Sequence, residues 1–137
     1  MRAITLHQPW ASLIALGIKR VETRSWIAGF RGQLAIHAAK RPIKRSELEA
    51  IAQHKFNGIC LGELEYPLGS VVAVCTLSDC VLMTPKLISQ QSPTELAVGD
   101  WESGRYAWLL SNVQPTRVIP ASGKQGLWDW IPPSNLL

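Results

Sequence analysis

The chain has 137 residues, 47% of them hydrophobic and 18% charged, with a formal net charge of +4. That length suits one domain able to bury about two-thirds of the surface its unfolded chain exposes, and the apolar content excludes a disordered polypeptide. No apolar run approaches the roughly 20 residues that span a bilayer, and "MRAITLHQPW" lacks the apolar core and cleavage site of a signal peptide, so neither is expected.

"MRAITLH" alternates apolar residues and predicts a strand through Leu6. Pro9 suits a helix's first turn, and Trp10, Leu13, Ile14 and Gly17 follow at helical spacing. Gly17 is a natural stop, because glycine takes the left-handed conformation without a Cβ penalty. The segment "GIKRVETRSW" therefore starts just past a short helix and continues as a turn or extended chain.

"GFRGQLAIHAAK" brackets Arg31 with glycines and then predicts a strand at 33–38. "RPIKRSELEAIAQHKF" predicts a surface helix with Leu48, Ile51 and Ala52 on one face and Lys44, Arg45, Glu47 and Glu49 on the other. A glycine-rich loop follows. "SVVAVCTLSDCVLM" is the longest strand candidate. The polar connector "TPKLISQQSPTELAVGDWESG" has room for a helical turn. "RYAWLLSNV", "TRVIPA" and "LWDWI" complete the strands, with Pro115, Pro120, Pro132 and Pro133 punctuating them. Five or six short strands and two real helices without a βαβ rhythm predict an α+β chain or small barrel, one domain over residues 1–137.

The charge is unevenly spread. Residues 1–45 hold nine Lys or Arg and one acid, a net of +8, whereas the remainder nets −4. A basic N-terminal third suits a polyanion-binding surface. If the fold masked those bases with the acidic remainder, a protein–protein adaptor would be the better reading. Six tryptophans predict mostly core positions, Trp108 and Trp128 among them, with a minority such as Trp10 or Trp26 free to stack on a base.

Cys60, Cys75 and Cys80 are an odd number with no CxxC spacing and no close histidine. Buried thiols in a reducing cytoplasm are expected. No phosphate-binding or dinucleotide glycine motif, HExxH or GxSxG is present, so no cofactor is expected. His7, His37 and His54 are far apart in sequence, so no metal is expected either.

The sequence concentrates chemistry in Lys19, Glu22, Thr23 and Arg24. A Lys and a Glu three residues apart at a turn can pair, leaving the Lys free to donate to a carbonyl or phosphate. Arg24 offers a fork for bidentate contacts. An ion-paired turn that only orders the following strand would use the same residues.

"LHQPWASLIALGIKRVETRSW" resembles the signature of the ASCH domain family, whose hallmark is Gly-x-Lys-x-x-Glu-x-Arg. Gly17, Lys19, Glu22 and Arg24 fill those four positions without a gap. "QPWA", "RGQLAIHAAK", "GRYAWLL" and "GKQGLWDW" extend the similarity over nearly the whole chain. The resemblance implies a small β-barrel related to the PUA fold, with a helix between its first two strands; the second surface helix is the one the residue pattern itself predicts. It also implies a basic cleft, lined by that element, for RNA or a nucleoside-like ligand. Carried over by position, Lys19, Glu22 and Arg24 stand at the cleft mouth, with Gln8, Trp10, Trp26, Arg31, His37 and Lys40 as further ligand-binding candidates.

Single-stranded or looped RNA is the expected partner, because side chains cannot reach the deep major groove of A-form RNA. A metal-free hydrolase on the same cleft is the alternative, with Lys19, Glu22 and Thr23 as its catalytic residues. Some family members deacylate a modified cytidine with a Lys, a Thr and a Glu, and others are suggested to cut RNA. In the deacylating subgroup the Thr falls three residues after the Lys. Here that place is Glu22, and on a strand the next residue, Thr23, is expected to face the other way. Asp100 and Glu102 are the candidates for a second carboxylate, if the connector folds over the cleft.

Overall fold

The computed structural model describes residues 1–52, 55–56 and 58–136. The element order begins β1 (Arg2–Leu6), α1 (Trp10–Ala15), β2 (Val21–Arg24), β3 (Gly32–Ala38) and α2 (Arg45–Ala52). It continues with β4 (Lys55–Phe56), β5 (Ile59–Cys60), β6 (Ser70–Leu82), α3 (Pro85–Ser89), α4 (Pro93–Ala97), β7 (Tyr106–Pro120) and β8 (Leu127–Asp129). The helix expected over residues 41–56 is shorter than its pattern, and His54 lies outside the described residues.

Six strands form one sheet in the order β2-β7-β6-β3-β1-β8, and β4 pairs only with β5. β1 and β3 run parallel, from Arg2 opposite Leu34 to Leu6 opposite Ala38. The remaining pairs are antiparallel. The long β6–β7 ladder shifts register at three places, between Val71 and Ala73, Val74 and Thr76, and Leu77 and Asp79. Each shift bends and twists the pair, so the sheet curls into a half-barrel. This is the α+β, PUA-like architecture that the resemblance implied, with α1 between the first two strands.

One strand expectation is corrected. "RYAWLLSNV" and "TRVIPA" are not two strands but one, the 15-residue β7, which exceeds the 13-residue β6. Pro115 does not break it, because Pro115 pairs with Ala73 at one of the register shifts. A residue without an N–H is tolerated where the ladder is already interrupted.

The two faces of the sheet bury different sets. Ile4, Leu6, Leu34, Ile36 and Ala38 pack with Ala11 and Ile14 of α1 and with the fully buried Trp108. Ala3, Ala35 and Val71 pack on the other face beneath Trp128 and Trp130. Trp108 and Trp128 are thus core residues, as their strand positions predict. All three cysteines are free, and burial pushes the Cys75 thiol up to about 12.

Among the described residues no helix is long and apolar enough to cross a membrane.

Candidate functional site

The element is placed by the way α1 ends. Leu16 caps the helix, Gly17 takes φ +76°, and the Gly17 and Ile18 amides donate to Ile14 and Leu13. This is the Schellman arrangement, which reverses the chain tightly. The Lys19 amide shares the Leu13 carbonyl. Lys19 is thereby turned inward, and β2 begins two residues later as an edge strand on β7.

The connector between β6 and β7 closes over that edge. Thr84 and Ser92 cap α3 and α4, each accepting an amide at 3.1 Å and each followed by proline. The chain then runs back across β2, where the Lys19 ammonium donates to the Val98 carbonyl at 2.8 Å. The Asp100 amide donates to Thr23 Oγ1 at 3.0 Å, and Arg105 donates to the Thr23 and Asp100 carbonyls. The Arg20 amide donates to Glu95 Oε1 at 2.7 Å.

These contacts enclose a cleft of about 690 Å³ lined by Trp10, Lys19, Glu22, Thr23, Arg24, His7, Thr5, Leu6, Arg105 and residues 97–100. Lys19 is 2% exposed and Glu22 is 7% exposed. Their Nζ–Oε1 distance is 3.6 Å, and Glu22 Oε2 receives Arg24 Nε at 3.1 Å. Arg24 spends a further N–H on the Thr5 carbonyl. One carboxylate therefore holds two cations. Burial lowers the Lys19 pKa, and Glu22 and then Glu95 oppose that shift. Burial raises the Glu95 carboxyl against the Arg20 amide and the Lys19 charge.

Of the expected site residues, the cleft brings together Trp10, Lys19, Glu22, Thr23 and Arg24. Thr23 was expected to face away from Glu22, yet both border the cleft, because the connector wraps the edge strand. Asp100 lines the cleft, and Glu102 does not.

Gln8 is fully buried behind it, where its amide holds the Ser12 hydroxyl and the Pro67 carbonyl. Trp26 meets Trp108 edge-on, with ring centroids 4.8 Å apart. Arg31 serves the Ala28 and Phe30 carbonyls and lies 3.6 Å from Asp79. Lys40 packs over Gly69.

His37 points to the opposite face of the sheet. Its Nε2 meets the Ala121 carbonyl at 2.7 Å and its Nδ1 meets Thr5 Oγ1 at 3.1 Å. A carbonyl only accepts, so Nε2 carries the proton. Burial lowers the His37 pKa, in keeping with a neutral ring.

Sequence reasoning missed Glu95, Arg105 and His7 as parts of this site. Glu95 had a readable signal in "SPTE", an N-cap serine with proline next and a glutamate at the third position. The basic third is also largely paired. Arg2, Lys19, Arg24, Arg31, Arg41 and Arg45 each have a carboxylate within 4 Å. Among the described residues, Arg20, Lys40 and Lys44 do not.

The family model for the ASCH domain matches residues 4–118. The chain belongs to the ASCH domain family. Curated relatives of this ASCH chain include activating signal cointegrator 1 of Mus musculus and of Homo sapiens, each 33% identical over 129 residues. Those matches cover 91% of the chain but only 21% of each relative, so the chain spans about a fifth of their length. Similar solved structures are ASCH from Zymomonas mobilis and a mutant form of that same protein, with TM-scores of 0.54 and 0.51. They are 22% and 23% identical, and each match covers 87% of the chain and 72% of the solved one. That likeness shows the shared fold.

Proposed function

We propose that this ASCH domain binds RNA by taking one unstacked nucleotide of a single-stranded or looped stretch into the cleft. The observation that carries this is the lining: Trp10, Arg24 and the buried Lys19–Glu22 pair border one cavity of about 690 Å³. That volume suits a nucleotide-sized ligand. The indole and the Arg24 plane supply stacking surfaces. Asp100 and the exposed face of the cleft wall supply polar edges.

Titration of an unstructured RNA across a salt series tests the reading. Each neutralised phosphate on a single strand contributes about −0.7 to the slope of log affinity against log salt. Among the described residues Arg20, Lys40 and Lys44 are the N-terminal bases without a carboxylate partner, so a slope near −2 is expected, far shallower than the +8 of the sequence suggests. Undetectable RNA binding at low salt overturns the proposal.

One observation favours a second reading. Lys19, Glu22 and Thr23 share the cleft, which is the residue set of a metal-free hydrolase acting on an acylated cytidine or on RNA. Their hydrogen bonds weigh against it. The Lys19 ammonium is held by Val98 and Glu22, and Thr23 Oγ1 already accepts the Asp100 amide.

A further inference from the structure

β1 and β3 end side by side. They are parallel, Leu6 lies opposite Ala38, and the Ala39 amide donates to the Leu6 carbonyl at 2.8 Å. The residues that follow each strand therefore emerge together, His7 from one and Lys40 and Arg41 from the other. His7 is exposed and lines the cleft, so this junction forms one rim of its mouth. Arg41 to Lys44 then lead into α2.

The charges gathered at this rim are unevenly matched. Glu47 is the carboxylate there, and both of its oxygens are spent. Oε2 takes Arg41 Nη2 at 3.1 Å, and Oε1 takes the Lys44 amide at 3.0 Å. The Lys44 ammonium has no carboxylate within 4 Å among the described residues. Arg41 Nε and Nη1 are enclosed and have no hydrogen-bond partner among the described residues. Buried donors are nearly always paired, so unmet ones call for an acceptor that none of the described residues supplies. The Arg41 side chain as a whole is 28% exposed, and to meet a ligand with its enclosed nitrogens it would turn from Glu47.

We propose that the cleft continues into a phosphate subsite formed by His7, Arg41 and Lys44, which takes the phosphate of the nucleotide whose base occupies the cleft. The subsite rests on the nucleotide-binding reading above and narrows it: the ligand is a phosphorylated nucleotide or an RNA strand, not a neutral nucleoside. Guanidinium and ammonium groups bind phosphate oxygens through charge-assisted bonds, and the fork of Arg41 has two nitrogens still to spend. His7 reports on the site. Burial lowers its pKa first, Arg41 lowers it next, Lys44 and Arg24 act in the same direction, and Glu47 opposes them. A phosphate seated among these groups reverses their field, and the His7 pKa rises.

The experiment compares uridine, its monophosphate and inorganic phosphate on the wild type, on Lys44→Gln and on the Arg41→Gln/Lys44→Gln double variant. Binding is read by calorimetry, and His7 is followed by NMR across pH. The wild type is expected to bind the monophosphate about tenfold more tightly than the nucleoside, the effect of one charge-assisted hydrogen bond. In the double variant that gain should fall to about twofold or less while nucleoside affinity is kept. Lys44→Gln changes only an exposed side chain, so a partial loss there guards against misfolding as the cause. The monophosphate should raise the His7 pKa, and the nucleoside should not.

Equal affinity for uridine and its monophosphate overturns the subsite and leaves the cleft reading standing. So does an undiminished gain in the double variant. Inorganic phosphate that raises the His7 pKa at the same concentration as the monophosphate also overturns it, because the anion site would then be independent of the cleft. If neither nucleoside nor monophosphate binds, the cleft reading fails and takes the subsite with it.

Discussion

The Lys19 ammonium donates to the Val98 carbonyl at 2.8 Å, across 79 residues of chain. This contact makes Lys19 a clamp, since it ties the connector to the edge strand while Glu22 balances its charge. Replacement by Met keeps the volume and removes the donor. Lys19→Met should cost roughly 1–3 kcal/mol, the penalty for leaving a buried carbonyl unmet. Glu22 loses less, because Arg24 still pairs with it. Glu22→Gln should cost more, about 3–5 kcal/mol, because it strips an enclosed ammonium of its counter-charge. Urea unfolding of both variants gives the order. Faster hydrogen exchange at the 98–100 amides in Lys19→Met would locate the effect in the cleft wall. A more stable Lys19→Met would show that desolvation of the ammonium outweighs its bonds.

Glu95 gives a pH dependence of defined sign. Burial holds its carboxyl above the ordinary 4.5, despite the Arg20 amide and Lys19. Between 4.5 and that raised value the folded chain binds the proton more tightly than the unfolded chain does. The stabilisation is full below 4.5 and is lost as pH rises through the raised value. Glu95→Gln keeps an acceptor for the Arg20 amide and cannot titrate. The stability of wild type relative to Glu95→Gln should therefore decline as pH climbs from 4.5. Chemical denaturation at several pH values measures it, and a constant offset would contradict the burial of this carboxyl.

The front of the chain was legible because its signals are local. Alternation marks β1, helical spacing marks α1, and Gly17 needs only its own backbone freedom to end that helix. The cleft's second wall was only partly legible, because it arrives from residues about 80 positions away. Asp100 could be named a candidate, but the Val98 carbonyl and Asp100 amide that hold Lys19 and Thr23 are backbone groups that carry no residue code. β7 was misread at Pro115, since the register shift that tolerates proline belongs to the pairing with β6. His37 was carried over as a candidate without regard to parity, which argues against it: Leu34, Ile36 and Ala38 face α1, so His37 faces away. The basic third overstated the free charge, because its partners Asp129, Asp79, Glu47 and Glu49 come later in the chain.

Trp10 and Trp108 should separate binding from stability. Trp108 is fully buried and touches Trp26 edge-on, so Trp108→Ala should cost about 3–5 kcal/mol of stability. Trp10 is half-buried at the cleft, and Trp10→Ala should lose roughly 1–3 kcal/mol of RNA binding with a smaller thermal penalty. Melting curves run beside binding curves distinguish the two. If Trp10→Ala melts as early as Trp108→Ala and binds as tightly per folded molecule, its indole is core and the stacking surface lies elsewhere.

Thr23 decides between binding and chemistry. Thr23 borders the cleft with Lys19 and Glu22, and its hydroxyl oxygen accepts the Asp100 amide at 3.0 Å. Thr23→Val deletes that one hydroxyl and keeps the β-branched shape a strand favours. In a binding module the change removes a single hydrogen bond that helps seat the cleft wall, and affinity should shift by no more than roughly 0.5–1.5 kcal/mol. A nucleophile is indispensable, so in a hydrolase the same change should cost several orders of magnitude in turnover. Attack also needs a base to take the hydroxyl proton, and the Lys19 amino group is already engaged with the Val98 carbonyl and Glu22. Wild-type protein is therefore expected to deacylate an acylated cytidine negligibly. Turnover assays on wild type and Thr23→Val, run with RNA-binding curves on the same samples, test both halves. Robust wild-type turnover that Thr23→Val abolishes would make this cleft an active site, with the threonine one place later than the deacylating subgroup has it.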